Sequence, residues 1–180
     1  MKTVVLILAC GMVLAAQESR REVTNPAPNP ADDAKPLSDK VPDVYAVPSQ
    51  FSKVIVLRFK FGADILAGLQ KMIKEQNITN GIILNGFGSV RGYQVHQVSN
   101  RDLPSKNMFV KNPTEPADIV GMSGFIAKGV LHPHITLARP DNAFGGHLEP
   151  GTTVFTFAVC TIGVLPDSAD LSHMDDKSYR

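Results

Sequence analysis

Apolar positions recur along the chain with two different periods, one typical of a helix and one typical of strands. Within residues 62–77 the apolar positions are spaced by three and four, at Ile65, Leu66, Leu69, Met72 and Ile73. That spacing puts them on one face of a helix, and it is the clearest helical period in the sequence. The polar Asn77 and the Asn80-Gly81 pair favour a turn where the helix ends.

The rest of the domain favours β-strands. Partial alternation of β-branched and aromatic residues predicts strands in SKVIVLRFKF, GIILNGFGSV, GYQVHQVS, NMFVK, DIVGMSGFIA, VLHPHITLA and TTVFTFAVCTIGVL. Turn signals such as NPTEP, RPDN and EPG separate several of these segments. The pattern predicts an α+β domain over residues 50–165, with a largely antiparallel β-sheet and one main helix packed across it.

The two ends of the chain differ in composition from this domain. Residues 1–16 combine Lys2 with an apolar run and small residues, which indicates a secretory signal peptide cleaved near Ala16. The run is too short for a transmembrane helix. Residues 17–49 contain six prolines and few large apolar residues, so we expect a disordered, proline-rich tether. Residues 166–180 predict a short, polar and frayed tail.

Charge and cysteine content narrow the class of protein. The formal net charge is +1, and cleavage of the signal peptide removes Lys2 alone among the charged residues. We therefore expect a formally neutral protein that is exported to the periplasm or the extracellular space. Cleavage leaves Cys160, whose apolar neighbours predict a buried thiol. Cys10, preceded by Ile7-Leu8-Ala9, leaves a lipid anchor open as an alternative to soluble export.

Three of the five histidines lie in the stretch GVLHPHITLARPDNAFGGHL. Alternate residues of a strand share a face, so His132 and His134 project side by side. Pro133 between them indicates a sheet edge or a bulge. If their strand pairs with the segment after the RPDN turn, His147 meets the first two. Three converging imidazoles predict a transition-metal site, with zinc the commonest occupant and a fourth position open to water. Packing or surface histidines are the alternative.

Two charged residues are candidates for catalytic roles beside such a metal. Glu149 follows His147 closely and is a candidate proton acceptor next to a metal-bound water, with a solvated turn residue as the alternative. Arg58 lies among apolar strand residues and needs a partner if it is buried. We expect Arg58 either to bind an anionic ligand or to pair with Asp64.

The remaining motifs favour structural roles. His96 in YQVHQV predicts an exposed strand residue, and His173 in the tail predicts no role. The glycines of NGFGSVRG alternate with larger residues after a strand, which indicates close backbone approach in a sheet and not a phosphate-binding loop. Ser123 in GMSGF lacks the setting of a nucleophile and predicts a sheet residue.

The order of these motifs resembles the PPC family (plants and prokaryotes conserved), also called domain of unknown function 296. The matching stretches are VLRFKFGADILAGL, GIILNGFGSVRG, DIVGMSGFIA and HPHITLARPDNAFGGHLEPGTTV, within residues 54–164. The resemblance implies a compact α+β fold, an antiparallel sheet with a helix across it, and a homotrimer. It also implies that His132, His134 and His147 form a zinc site.

The plant members of this family contact A/T-rich DNA through a separate basic hook with an Arg-Gly-Arg-Pro core, which inserts arginines into the minor groove. The nearest fragments in this chain, Arg20-Arg21 and Arg139-Pro140, lack that pattern. A neutral, exported chain also opposes binding to phosphates. We therefore expect no nucleic-acid partner.

The sequence predicts an exported, homotrimeric PPC-like protein whose zinc site binds or transforms a small ligand. In that version the metal polarises the ligand or activates water, Arg58 orients an anion and Glu149 moves a proton. A non-enzymatic trimeric scaffold or sensor is the first alternative, and DNA binding by analogy with plant relatives is the second. The sequence identifies no substrate and does not decide whether the protein is an enzyme.

Overall fold

A computed structural model describes residues 17–33 and 41–176. The predicted signal peptide, with Cys10, lies outside the described residues. The strands are β1 (Ser19–Asn25), β2 (Lys53–Phe59), β3 (Asn80–Val98), β4 (Ser105–Asn112), β5 (Ala117–Ala127), β6 (Val130–Ala138), β7 (Ala143–Leu148) and β8 (Thr153–Leu165). The helices are α1 (Pro30–Asp33) and α2 (Ile65–Glu75). Neither helix in this part of the chain has the length and apolar content needed to span a membrane.

All eight strands belong to one antiparallel sheet. The main path runs β1-β4-β3-β5-β6-β7, while β8 pairs with both β3 and β2. The far strand β7 also pairs back onto β3. The predicted antiparallel sheet is therefore confirmed, and its closure through β7 and β3 brings together strands that lie far apart in the sequence.

The long strand β3 replaces two strands that the sequence predicts separately. Its register against β8 shifts near Gly88 and Gly92, so the strand bends without ending. A Cβ on Gly88, where φ is 140°, would lie 2.3 Å from the Phe157 carbonyl oxygen. Close backbone approach at these glycines is thus confirmed. Because β3 is long and bent, it pairs with β4, β5, β7 and β8 along different parts of its length.

The helix α2 follows the predicted apolar stripe. The Asp64 carboxylate caps it by accepting a hydrogen bond from the Ala67 N–H at 2.9 Å. Four positions of the stripe are buried, and Met72 packs against the same core from a partly buried position. Asn77 takes a left-handed conformation in the turn that follows, with φ 51°. The predicted helix and its buried face are therefore confirmed.

Residues 19–25 differ from the predicted disordered tether. They form β1, which pairs with β4 along its whole length. The buried Tyr93 hydroxyl contacts the Glu18 carboxylate at 3.1 Å, just before this strand. The proline-rich composition begins at Pro26, so the segment SRREVTN keeps all its backbone N–H donors for the edge of the sheet. The prediction of disorder over residues 17–49 is therefore wrong for β1.

The C-terminal tail is more ordered than its polar composition predicts. After β8, Ala169 and Leu171 are buried against Leu165 in a small second core. The buried side chain of Asn80 donates from Nδ2 to the Ala169 carbonyl at 2.9 Å. The prediction of a frayed tail is wrong for residues 166–176, because two apolar side chains and one buried hydrogen bond attach the segment to the domain.

Candidate metal centre

The β6–β7 hairpin brings the three predicted histidines to one surface. His134 lies opposite His147 in the antiparallel pairing of these strands. Gly145 and Gly146 permit this approach, because a Cβ at either position would lie 2.2 Å from a backbone carbonyl of a neighbouring strand. His132 lies two residues before His134 and shares its face. The pairing across the RPDN turn, on which the three-histidine prediction depended, is therefore confirmed.

Pro133 lies within the sheet and not on an edge strand. β6 pairs with β5 on one side and β7 on the other. Pro133 lies opposite Gly124 on β5, whereas the ladder with β7 starts at His134. The sequence predicts a sheet edge or a bulge at Pro133. β6 is not an edge strand, but Pro133 itself is paired on one side alone, which a residue without an N–H donor tolerates.

The three imidazole rings are in mutual contact. The Nε2 atoms of His132 and His134 are 3.3 Å apart. The ring centroid of His147 lies 4.8 Å from that of His132 and 5.7 Å from that of His134, in edge-to-face geometry. A tetrahedral zinc ion with Zn–N bonds of about 2.0–2.1 Å separates its nitrogen ligands by about 3.3 Å. The two Nε2 atoms therefore already have a separation that suits a shared zinc ion.

His96 adds a fourth imidazole that the sequence pattern does not assign to the site. It lies on β3 opposite His147 on β7, and the two rings stack with centroids 4.7 Å apart. The ring centroid of Phe109 on β4 lies 4.8 Å from that of His96. The side chain of His96 is 20% exposed, so the prediction of an exposed strand residue is wrong. Alternation with the buried Val95 puts His96 on the opposite face of β3, where His147 on β7 and Phe109 on β4 cover its ring.

Glu149 lies between two of these imidazoles. Its Oε1 is 2.6 Å from His96 Nδ1 and 3.5 Å from His147 Nδ1. The longer contact lacks hydrogen-bond geometry, and the buried Nδ1 of His147 has no hydrogen-bond partner within the described residues. The Glu149 side chain is 18% exposed, so it is not the solvated turn residue of the alternative interpretation. His96, His147 and Glu149 offer ligand atoms within 4.8 Å of one another and could hold a metal ion.

Two neighbours fix the orientation of the His132 ring. The ring stacks on Phe125 with centroids 5.2 Å apart and planes 4° from parallel. Its Nδ1 lies 2.9 Å from Asp175 Oδ2. Asp175 belongs to the tail, where the sequence offered no signal of a role. A carboxylate acceptor at Nδ1 favours the tautomer that carries its proton there and leaves a lone pair on Nε2.

Burial and mutual repulsion favour the neutral form of two of the imidazoles. Burial is the main cause that lowers the pKa of His147, and the positive charges that His96 and His132 would carry lower it further. The pKa of His134 is also lowered, first by burial and then by His132. Neutral imidazole is the form that binds transition metals, so these rings are suited to act as ligands near neutral pH.

Arg58 does not lie at this site. It is exposed on β2, a strand that pairs with β8, and its guanidinium is 5.9 Å from the ring centroid of Phe157. Asp64, its predicted alternative partner, accepts hydrogen bonds from the backbone N–H groups of Ala67 and Gly151. The structure therefore brings Glu149 to the three histidines but leaves Arg58 on another part of the sheet.

Comparison with known proteins identifies the domain. Residues 47–166 match the family model of the Plants and Prokaryotes Conserved (PCC) domain, which confirms the resemblance in the sequence motifs. Among curated proteins, the chain is similar to the bifunctional protein GlmU of two Synechococcus strains, at 25% identity over 116 residues and 26% over 125 residues. These matches cover 64% and 69% of this chain but 17% and 18% of the relatives. The chain thus spans less than a fifth of the length of the curated relatives it matches.

Solved structures share the fold at low sequence identity. A metal-containing protein from Archaeoglobus fulgidus has a TM-score of 0.58 at 20% identity, covering 70% of this chain and 89% of that one. A plant- and prokaryote-conserved protein from Pyrococcus horikoshii has a TM-score of 0.56 at 18% identity, covering 69% and 87%. A protein from Bacteroides thetaiotaomicron, described as a candidate DNA-binding protein, has a TM-score of 0.50 at 22% identity, covering 68% and 86%. At these identities the likeness establishes the fold.

Proposed function

Because the chain belongs to the Plants and Prokaryotes Conserved domain family, we propose that it is a metal-binding protein that holds zinc through His132, His134 and His147. A small ligand binds at the metal and is either held or transformed there. The observation that carries this proposal is the convergence of the three imidazoles, with the Nε2 atoms of His132 and His134 3.3 Å apart. Neutral nitrogen donors suit zinc, and three protein ligands leave a fourth position for water or a ligand.

Zinc bound here supplies a Lewis acid that polarises a ligand oxygen or acidifies a bound water. The surrounding side chains control access and proton handling. His134 is exposed, whereas the side chains of His147 and Glu149 are 22% and 18% exposed. A small ligand therefore approaches from the His134 side. We assign the role of proton acceptor to Glu149, the carboxylate that contacts His96, and we assign no role at the site to Arg58.

Metal content of the purified protein tests this proposal. Elemental mass spectrometry is applied to the wild type, the His147→Ala variant and a His173→Ala control from the tail. We expect about one zinc per chain in the wild type and the control, and loss of zinc in His147→Ala, because His147 contacts both other imidazoles. Absence of metal from the wild type, after purification without chelator and with zinc supplied, contradicts the proposal and favours a non-enzymatic scaffold or sensor.

Two further variants distinguish the two clusters that share His147. The alternative cluster consists of His96, His147 and Glu149. If zinc binds to the three histidines of the β6–β7 hairpin, His96→Ala keeps most of the zinc and His132→Ala loses it. The reverse result indicates that the metal binds to the cluster that contains Glu149. Glu149 is then a metal ligand and not the proton acceptor.

We also propose that the protein forms a homotrimer through one apolar face of its sheet. Large apolar side chains are exposed on β2, β3, β5 and β8, and they are Val54, Val56, Phe87, Val120, Phe155 and Phe157. The rings of Phe87 and Phe157 meet edge to face with their centroids 6.4 Å apart, and the Arg58 guanidinium lies over the Phe157 ring. Exposed apolar patches of this kind are typical of protein interfaces, so further copies of the chain are the partners that we propose for it.

Export is a separate proposal that rests on residues 1–16. Their charged start, apolar run and small residues match a secretory signal peptide. We propose that this segment is removed near Ala16 and that the domain acts in the periplasm or outside the cell. The intact mass of the protein recovered from a secreting host tests this, since an uncleaved chain in the cytoplasm contradicts it and an added lipid mass at Cys10 replaces soluble export with anchoring.

DNA binding is the second candidate function, and it is favoured by the description of the Bacteroides thetaiotaomicron structure. The Arg-Gly-Arg-Pro hook is absent from this sequence, and a formal net charge of +1 gives little attraction for phosphates. We therefore rank it below metal binding. Affinity for an A/T-rich duplex that falls steeply with salt supports DNA binding, whereas no binding at low salt removes it.

A further inference from the structure

Asp175 reaches the candidate metal centre from beyond the family-matched part of the chain. The match to the PCC domain ends at residue 166. Oδ2 of Asp175 lies 2.9 Å from His132 Nδ1. The other ring nitrogen of His132, Nε2, faces His134. One contact therefore joins the C-terminal tail to a proposed zinc ligand through the nitrogen that does not face the cluster.

The segment that carries Asp175 is attached to the domain by specific contacts. Leu171 is buried, with 4% of its surface exposed. Asn80 donates from Nδ2 to the Ala169 carbonyl at 2.9 Å and accepts at Oδ1 from the Lys128 N–H at 3.2 Å. Lys128 lies in the turn between β5 and β6, so Asn80 ties the tail to the start of the strand that carries His132. The tail is thus attached next to the turn that leads into β6, the strand that carries His132 and His134.

We propose that Asp175 is a positioning residue of the metal centre, which holds His132 in the tautomer with its proton on Nδ1 and presents Nε2 to the metal. The inference rests on the proposed zinc site and adds a residue to it from a segment outside the family-matched domain. Metal-bound histidines commonly donate their second N–H to a carboxylate, which fixes the ring and raises the basicity of the ligand nitrogen. His132 has that arrangement, and its ring plane is set by Phe125.

The contact between Asp175 and His132 acts on the metal-binding nitrogen of His132 and contributes little to the stability of the fold. The side chain of Asp175 is 61% exposed, and ion pairs at such positions contribute little to folding stability. Without Asp175, the His132 imidazole exchanges between two tautomers, one of which carries a proton on Nε2 and cannot bind the metal through that nitrogen. Loss of the carboxylate should therefore weaken zinc binding, by about 10-fold at the low end of the usual effect for such partners, while the melting temperature stays the same.

The test compares Asp175→Ala with Asp176→Ala in the full-length protein. Asp176 is a matched control, because it is a neighbouring tail carboxylate that contacts His173 Nδ1 at 3.2 Å. Zinc affinity is measured by titration against a competing chelator. The tautomer of His132 is read from long-range ¹H–¹⁵N spectra of the metal-free protein, a signal that a purely structural role of Asp175 would not change. Asp175→Glu tests rescue by a longer carboxylate.

We expect the wild type, Asp176→Ala and Asp175→Glu to show His132 protonated at Nδ1 and to bind zinc with similar affinity. Asp175→Ala should show mixed tautomers and bind about 10-fold more weakly. If Asp175→Ala keeps both the Nδ1 proton and the zinc affinity of the wild type, the inference is overturned and the zinc site stands. If neither the wild type nor any variant binds zinc, the proposed function fails. A wild-type spectrum without a proton on His132 Nδ1 overturns the role of Asp175 as well.

Discussion

Cys160 illustrates at the scale of a single residue how the core sets side-chain chemistry. The thiol lies on β8 with no exposed surface, as its apolar neighbours in the sequence predict. Burial raises the pKa of Cys160 from an ordinary 9.0 to about 12, because a thiolate loses its hydration there. The folded protein therefore keeps the thiol proton over a pH range in which the unfolded chain releases it.

This difference in the pKa of Cys160 predicts a loss of stability at high pH. Above about pH 9 the unfolded chain binds one proton fewer, so the free energy of unfolding falls by up to about 1.4 kcal/mol per pH unit until about pH 12. Urea unfolding between pH 8 and pH 10.5 measures the slope in the wild type and in Cys160→Ala. The stability difference between them should shrink as the pH rises, and a constant difference contradicts the assignment.

At the scale of an element, α2 depends on a cap that serves two parts of the chain. Asp64 accepts from the Ala67 N–H at 2.9 Å and, through its other oxygen, from the Gly151 N–H at 2.7 Å. The second contact joins the start of the helix to the turn before β8. The sequence suggested an ion pair with Arg58, but the backbone donors at a helix N-terminus compete for the same carboxylate.

Removal of this cap should destabilise the domain. We expect Asp64→Ala to lower the free energy of unfolding by about 1–2 kcal/mol, because it removes the partner of an N-terminal helix N–H and of a turn N–H. Asp64→Asn should lose less, since an amide oxygen still accepts from one of them. Lys71→Ala, on the exposed side of the same helix, is the control and should change stability by less than about 0.5 kcal/mol. Equal effects of Asp64→Ala and Lys71→Ala in denaturant unfolding would argue against the cap.

At the scale of the whole molecule, one side of the sheet is covered and another is exposed and apolar. α2 packs its buried stripe into the main core with residues of β2, β3, β5, β6, β7 and β8. The opposite side of β2 and β8 exposes Val56 at 67% and Phe157 at 39%. In a single copy these side chains stay partly or largely exposed, and the homotrimer proposed above would bury them.

The proposed homotrimer therefore predicts that a charge in this face changes the size of the particle. Val56→Asp should shift the protein from trimer to monomer in analytical ultracentrifugation, because an unpaired carboxylate is costly to bury in an apolar interface. Val44→Asp is the control, since Val44 is 85% exposed in a segment without regular structure. A wild type that sediments as a monomer contradicts the trimer, and an unchanged Val56→Asp trimer places the interface on another face.

Much of the candidate site can be predicted from the sequence, because the residues that specify it lie close together in the chain. The spacing of His132 and His134 fixes a shared face, and the Gly-Gly pair before His147 marks a close approach of β7 to its neighbours. Periodicity alone likewise determines α2 and the identity of most strands. These features depend on residues within a few positions of one another, and backbone geometry converts such spacings directly into faces.

The remaining features were decided by tertiary structure alone. His96 joins the site because β3 continues past its bends and meets β7, and Asp175 joins it because Asn80 and Leu171 hold the tail against the domain. β1 is ordered because the edge of β4 offers it backbone partners. Each of these contacts links residues far apart in the chain, whose pairing depends on the register and closure of the whole sheet. The sequence alone thus determined which side chains share a strand face, and only the folded sheet determined which faces meet.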